Sequence, residues 1–433
     1  MLSSMFQIAA AGGGSGGFSG GGGGGGFSGG GGRFGGGGGT YVVLGGGHVG
    51  FLLVIVAIVV LVVLVGVVSS WLTARRIARL RADRDTHVRT ASAEAAEDDA
   101  AFGADRVGGD VAGLFASIQT AWDARDETAL GRLVGPDLLA EWTRRLRDFT
   151  RRGWHNRVRV LDAPTVQYIG MTNREADADD RVVAHVVARL EDYVEGPNGM
   201  RVLKDGATSS VSDLSEYWTL GKRDGQWILL SIEQDAEGLH NLDAPIVASP
   251  WGDDVRLRDA ALVEGAVADA PAAGVATADL VSVSLSGDAR AQALDLSLAD
   301  ARFGPDVLEV AAREAASAWA EAVDGDDGPL ERVASPEAVQ ALLYAGDASR
   351  ATRLVVRGPR IESVHIEALT PSPEPATMTV TLKVRGRRYV ENRDTTDVVS
   401  GSKDRESAWA ERWTMALDGT DETPWRVVGV GSE

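Results

Sequence analysis

The sequence contains no cysteine, which removes thiol nucleophiles, disulfides and Cys-ligated zinc from its chemistry. That absence says little about compartment, since a cytoplasmic domain needs no disulfide. Lysine is scarce beside arginine, and acids are almost missing from the first 84 residues, where Asp83 stands against six arginines. That stretch carries a net +5, so the rest of the chain carries −24 within the total of −19. A body this acidic argues against a nucleic-acid partner and against flat docking on an anionic leaflet. Charge is missing altogether from Phe51 to Val68, FLLVIVAIVVLVVLVGVV, and no side chain there can form a hydrogen bond.

Those eighteen residues form a helix of roughly 27 Å, close to the hydrocarbon thickness of a bilayer. Sixteen are Phe, Leu, Ile or Val, and insertion on translocon-type scales is favourable by about 5–10 kcal/mol. The expectation is one transmembrane helix in contact with lipid. It starts too late for a cleaved signal peptide and lacks a basic n-region and an Ala-x-Ala exit. Arg33 alone precedes it, whereas Arg75, Arg76, Arg79, Arg81, Arg84 and Arg89 follow, so the C-terminal side is expected in the cytoplasm of a single-pass cell-membrane protein. Arg75, Arg76, Arg79, Arg81 and Arg84 are the candidates for membrane-surface contact.

Glycine is concentrated before the helix: residues 12–50 hold 25 of the 54, with Phe18-Ser19-Gly20 repeated nine residues on as Phe27-Ser28-Gly29. Such chain buries too little apolar surface to offset its ordering entropy, so disorder is expected over 1–40. Tyr41 to Gly50 satisfies a strand followed by G-x-G-x-x-G, the dinucleotide fingerprint. That motif needs an amphipathic helix and an acid about twenty residues on. Here the helix is apolar all round and the first acid is Asp83, so the nucleotide reading is rejected and no cofactor is expected.

Beyond the arginines, 73–106 reads as a basic then acidic juxtamembrane linker, solvated or briefly helical. Globular patterning follows. Val111, Leu114, Phe115, Ile118, Ala121 and Trp122 share one helical stripe; Leu130, Leu133 and Val134 make a second; Pro136 opens a third with Leu138, Leu139, Trp142, Leu146 and Phe149. Strand-like runs come next at 157–161, 166–169, 182–190, 214–220 and 227–232, the last two joined by a hairpin at 221–225. Helices before antiparallel strands is an α+β order.

The order recurs near the C-terminus. Trp122 to Tyr193 spans 71 residues and Trp319 to Tyr389 spans 70. Tyr193-Val194-Glu195 answers Tyr389-Val390-Glu391, Trp218-Thr219 answers Trp413-Thr414, and Trp227 answers Trp425. Leu280–Leu285 and Ala293–Leu298 alternate like a hairpin around Gly287-Asp288. The expected organisation is a first domain over 107–250, an Ala/Asp-rich linker with that hairpin over 251–300, and a second, divergent domain over 301–433.

The pattern VAGLFASIQTAWDARDETALGRLVGPDLLAEW, followed by EYWTLGKRDGQWILLSIEQ, resembles the C-terminal domain of the mitochondrial inner-membrane translocase tether, the Tim-forty-four-like family. Bacterial members place a Gly-rich stretch and one membrane helix before that domain. The resemblance covers 107–250 well and 301–433 more weakly. It implies a nuclear-transport-factor-two-like fold: two tandem cone-like domains, each of three helices on a curved antiparallel sheet, behind the transmembrane helix. The family member is a non-catalytic tether for import machinery. This chain departs from it by an integral helix and a second copy, so mitochondrial import is not carried over.

Related folds include isomerases and dehydratases built on a pocket carboxylate or His–Asp pair with a Tyr donor. None of His48, His87, His155, His185, His240 and His365 sits in a metal-ligand spacing, and no G-x-S-x-G elbow occurs, so no metal or catalytic residue is assigned. A strand histidine such as His185 is more often a satisfied structural group than a base. Trp122, Tyr193, Trp218, Trp319, Tyr389 and Trp413 are the pocket-lining candidates, against the plainer role of core filling. Arg144, Arg145, Arg147, Arg151, Arg152, His155, Arg157 and Arg159 form a basic cluster, more readily a solvated face with acidic neighbours than a headgroup site. The reading is a membrane-anchored, non-enzymatic scaffold that binds a protein segment or apolar ligand at the cytoplasmic face, in protein transport or envelope assembly. The alternative is a membrane-tethered isomerase, dehydratase or hydrolase using the cone pocket.

Overall fold

A computed structural model describes residues 48–203, 208–252, 254–267 and 283–431. The Gly-rich segment over 1–40, most of the fingerprint-like Tyr41–Gly50 and part of the Ala/Asp-rich linker lie outside them. The described residues divide into two units, one ending at Asp83 and one starting at Arg84. Helix α1 (His48–Asp98) supplies the first unit. Among the described residues it is the one helix long and apolar enough to cross a membrane. Val60, Leu61, Val62, Leu64, Val65, Val67 and Val68 are each half or more exposed, as an apolar surface without a protein partner would be.

The expected linker is helical instead. α1 runs on to Asp98, and in the unit that starts at Arg84 its Val88, Ser92 and Ala95 are buried. Arg84 Nε donates to Ile169 O at 2.7 Å, and the Tyr168 amide donates to Asp85 Oδ1 at 2.6 Å. Backbone groups of a strand thus find partners on this helix, which is why the segment is ordered despite its polarity.

Three helices follow: α2 (Ala104–Ala124), α3 (Glu127–Leu133) and α4 (Pro136–Arg151). Asp126 caps α3 by accepting from Ala129 N at 2.9 Å, and Pro136 occupies the first turn of α4, where a missing N–H costs nothing. They pack on a six-stranded antiparallel sheet of β1 (His155–Val160), β2 (Thr165–Thr172), β3 (Arg181–Glu195), β4 (Arg201–Val202), β5 (Val211–Arg223) and β6 (Gln226–Gln234). The strand order is β1-β3-β5-β6, with β2 and β4 also paired to β3. Arg223 pairs with Gln226 across a two-residue loop whose Asp224 and Gly225 have φ of 53° and 71°, the turn that Asp-Gly favours.

Helix α5 (Asp254–Val267) leads into the C-terminal half. The expected hairpin at Gly287-Asp288 is not formed. β7 (Val283–Leu285) pairs parallel with a later strand, and α6 (Gly287–Ser297) begins at once, capped by Ser286 Oγ accepting from Ala289 N at 3.1 Å. A Ser N-cap with Asp in the first turn favours helix over a second strand arm. Then come α7 (Pro305–Asp324), α8 (Gly328–Val333) and α9 (Pro336–Tyr344), and the strands β8 (Thr352–Thr370), β9 (Thr377–Asn392), β10 (Val398–Gly401), β11 (Ser407–Ala416) and β12 (Arg426–Gly431). Their sheet runs β12-β11-β9-β8-β7.

Local details recur between the halves. Trp227 Nε1 donates to Ala101 O at 3.1 Å and meets Phe102 edge-on; Trp425 Nε1 donates to Arg302 O at 3.0 Å and meets Phe303 edge-on. Gly135 N donates to Leu229 O at 2.7 Å, and Ser335 N to Val427 O at 2.8 Å. The strand registers slip at Thr219/Leu220 and at Thr414/Met415, one residue after the paired tryptophans, and such bulges bend a strand around its core. The architecture is α+β, with helices on curled antiparallel sheets.

Candidate functional site

Among the described residues, aromatic side chains pack the interiors of both halves. Trp122 stacks edge-on to Trp142 at 5.4 Å and Phe115 lies 5.2 Å from Trp218, all fully buried or nearly so. Trp319 and Trp413 meet at 5.8 Å in the second core, both at 0% exposure. These four pocket candidates therefore serve as core side chains. Trp122 Nε1 donates to Asn156 Oδ1 at 2.7 Å, and Asn156 Nδ2 donates to Asp192 Oδ1 at 2.7 Å. Glu216 is buried beside Trp218, whose Nε1 donates to it at 3.0 Å. Tyr193 is placed elsewhere: Asp192 and Val194 are buried, so strand alternation turns Tyr193 to the opposite face, where Arg201 lies 4.3 Å over its ring. Tyr389 is buried outside the second core, its hydroxyl 3.5 Å from Glu237 of the N-terminal half.

The basic cluster is matched residue by residue. Arg144 pairs with Asp394 at 2.7 Å, Arg145 with Glu141 at 2.5 Å and Arg147 with Glu127 at 3.5 Å. Arg151 and Arg152 share Asp148, Arg157 meets Glu195 and Asp123, and Arg159 meets Glu191 at 2.9 Å. Of the membrane-surface candidates, Arg75, Arg76 and Arg79 are exposed, with Arg75 3.9 Å over the Trp71 ring. Arg81 is buried, and Arg84 is spent on Ile169 O and Ala244 O, so neither is available to a headgroup.

His185 has neighbours of the catalytic type without the catalytic geometry. A working triad puts serine on one ring nitrogen and the carboxylate on the other. Here Ser215 Oγ at 2.9 Å and Asp235 Oδ1 at 3.3 Å share Nε2, while Gln167 takes Nδ1 at 3.1 Å. Ser215 itself donates to Asp235 at 3.1 Å, which leaves no relay from serine through histidine to acid.

Two clusters have the spacing of cation sites and hold their own cations. Asp99, Asp177 and Asp180 surround Lys222 Nζ, which contacts Asp99 and lies 2.6 Å from Asp180 and 3.7 Å from Asp177. Burial opposes the ammonium charge, but Asp180 and Asp99 hold it above the ordinary lysine value. Glu233, His240 and Asp324 form the second cluster, with Arg357 among them. His240 Nε2 is 3.3 Å from Asp324, and its Nδ1 is 3.6 Å from Glu233. Burial opposes protonation of His240, yet Glu233 and Asp324 outweigh it and raise its pKa to about 9.

This second cluster lies on a polar seam between the halves. Arg357 Nη1 donates to Asp324 O at 2.5 Å and to Ser231 Oγ at 3.3 Å, and Nη2 donates to Ile232 O at 3.2 Å. Farther along, Asp137 of α4 accepts from Arg353, from Arg393 Nη2 at 2.7 Å and from Tyr344 OH at 3.2 Å. Burial opposes ionisation of Asp137, but Arg353 and Arg393 hold it below its ordinary value. Arg353 also reaches Asp327 at 2.6 Å. Burial raises the pKa of Glu233 and that of Asp327. Sequence reasoning missed Asp137, Glu233, Asp324, Arg353, Arg357 and Arg393, which stand in unremarkable local contexts; an isolated Asp after Pro136 reads as an ordinary first-turn helix acid.

The fold defines a class, α+β domains of helices packed on curled antiparallel sheets. More particularly, residues 88–234 match the Tim44-like domain family. That family is associated in general with membranes and with protein binding or tethering. No curated protein matches the chain. Among solved structures, the intermembrane space region of the chloroplast protein ARC6 aligns at 11% identity and a TM-score of 0.24, covering 29% of this chain and 95% of that one. An Ntf2-like protein involved in plasmid conjugation aligns at 8% identity and a TM-score of 0.18, covering 72% and 88%. Overlaps of this size carry no further inference.

Proposed function

We propose that the chain is a membrane-anchored, non-catalytic scaffold whose two tandem cone-like domains hold a protein segment at the cytoplasmic membrane face, in protein transport or envelope assembly. The observation that carries this reading is the packing-out of both interiors by Trp122, Trp142, Trp218, Trp319 and Trp413. A scaffold needs a stable surface and no cavity. An isomerase or hydrolase needs an open pocket with a carboxylate, a base and a donor facing it. The apolar run of α1 supports anchoring, and the arginines after Val68 support a cytoplasmic body.

The test uses the full chain in its native membrane, with a proximity-labelling enzyme fused at the C-terminus. The expected result is retention of the chain in the membrane fraction through alkaline carbonate and labelling of cytoplasmic proteins. A chain that fractionates as soluble, or labelling confined to exported proteins, overturns the reading.

A further inference from the structure

The seam joins unlike surfaces of the two halves, and that leaves one surface of each kind unused. In the C-terminal half, α7, α8 and the link between them present Glu321, Arg332 and Asp326 respectively. The turn between β2 and β3 of the N-terminal half docks there, with Arg181 2.7 Å from Glu321 and 3.3 Å from Asp326, and Asp179 2.8 Å from Arg332. The corresponding face of the N-terminal half follows from the paired landmarks. The Val134–Leu229 bridge answers Ala334–Val427, so Arg132, two residues before the first, stands for Arg332, two residues before the second. The caps agree: Asp126 is the N-cap of α3 and Asp327 that of α8.

On the N-terminal half this face is open. Between α2 and α3 runs a groove of about 480 Å³, lined by Ala116, Thr120, Ala124, Asp126, Arg132 and Leu133. The turn that corresponds to Asp177–Asp179 is the β8–β9 connection over 371–376, with exposed Glu374. Were the halves related by a two-fold axis, Arg132 would meet Glu374 within the chain as Arg332 meets Asp179. Arg132 and Glu374 are both exposed, so the seam is heterologous, and a heterologous contact repeats from molecule to molecule unless its ends are blocked.

We infer that a second copy of this chain docks its 371–376 turn into the α2–α3 groove, with Glu374 facing Arg132, so that chains associate head to tail. The acid-to-arginine match is the one already used inside the chain between Asp179 and Arg332.

The lack of cysteine makes the test direct. Full chains carrying Arg132→Cys with one tag and Glu374→Cys with another are co-expressed and oxidised in their membranes. The expected product is a disulfide dimer carrying both tags, about tenfold more abundant than when Asp162→Cys replaces either partner. Arg132→Glu should lower the yield of association measured by light scattering in detergent, and combining it with Glu374→Arg should restore it. A mixed dimer no more abundant than the Asp162→Cys control, or no recovery by the charge swap, overturns the proposal. Arg132 and Glu374 are surface positions, so loss of folding does not confuse the outcome.

Discussion

His240 carries a pH signature that its strand-poor, loop-like sequence context does not announce. Its folded pKa of about 9 lies above the ordinary 6.5, because Glu233 and Asp324 flank the ring. A raised histidine pKa stabilises the fold fully below the unfolded value and loses that contribution as pH climbs through the folded value. The shift corresponds to on the order of 3 kcal/mol. Thermal unfolding of the full chain and of His240→Gln should therefore differ most near about pH 6 and converge above about pH 9. The comparison stays above the range in which Asp324, held below its usual value by His240 and Arg357 despite burial, takes up its proton. A gap of constant size across the range would show that the imidazolium is not the stabilising species. Other residue roles were partly legible. Tyr193, expected from the sequence to line a pocket, sits between Asp192 and Val194, whose burial in the structure turns it away from the core that Trp218 fills.

At the scale of elements, the seam is held by buried charges, and such pairs are costly to break from one side. Asp137→Ala would strip buried Arg393 of its carboxylate and leave buried Arg353 with Asp327 alone, and is expected to cost about 3–5 kcal/mol. The shift in urea midpoint reads this out. A loss below about 1 kcal/mol would mean the seam behaves like a surface ion pair. The repeated helix and strand order was legible because it is periodic: apolar stripes at helical spacing, Asp224-Gly225 at a hairpin, and tryptophans at matched intervals. Two elements were not. Val88, Ser92 and Ala95 form a stripe of three small side chains inside a charged run, too thin to mark a packed helix face. Ala293–Leu298 alternates as a strand would, yet the Ser286 cap and the parallel pairing of β7 decide for helix over Gly287–Ser297.

For the whole molecule, the proposed anchoring rests on one run of side chains that gains by leaving water. Leu61→Lys with Leu64→Lys places two ammonium groups at the centre of that run, each costing about 3 kcal/mol on insertion scales. The doubly substituted chain is expected to leave the membrane fraction while either single variant stays; retention of the double variant after carbonate extraction would locate the anchor elsewhere.

The sequence by itself determined the membrane-length apolar run, the acidic body, the α+β order and the doubled tryptophan pattern, because each is a matter of composition or of spacing within a few turns. Tertiary structure alone decided that the tryptophans fill the cores, that Tyr389 leaves its core for the seam, and that the buried acids and arginines pair across it. Arg181 and Asp326 are 145 residues apart, and Arg393 and Asp137 are 256. Contacts at such separation exist only once the chain has closed long loops, and no local pattern encodes which charge will meet which.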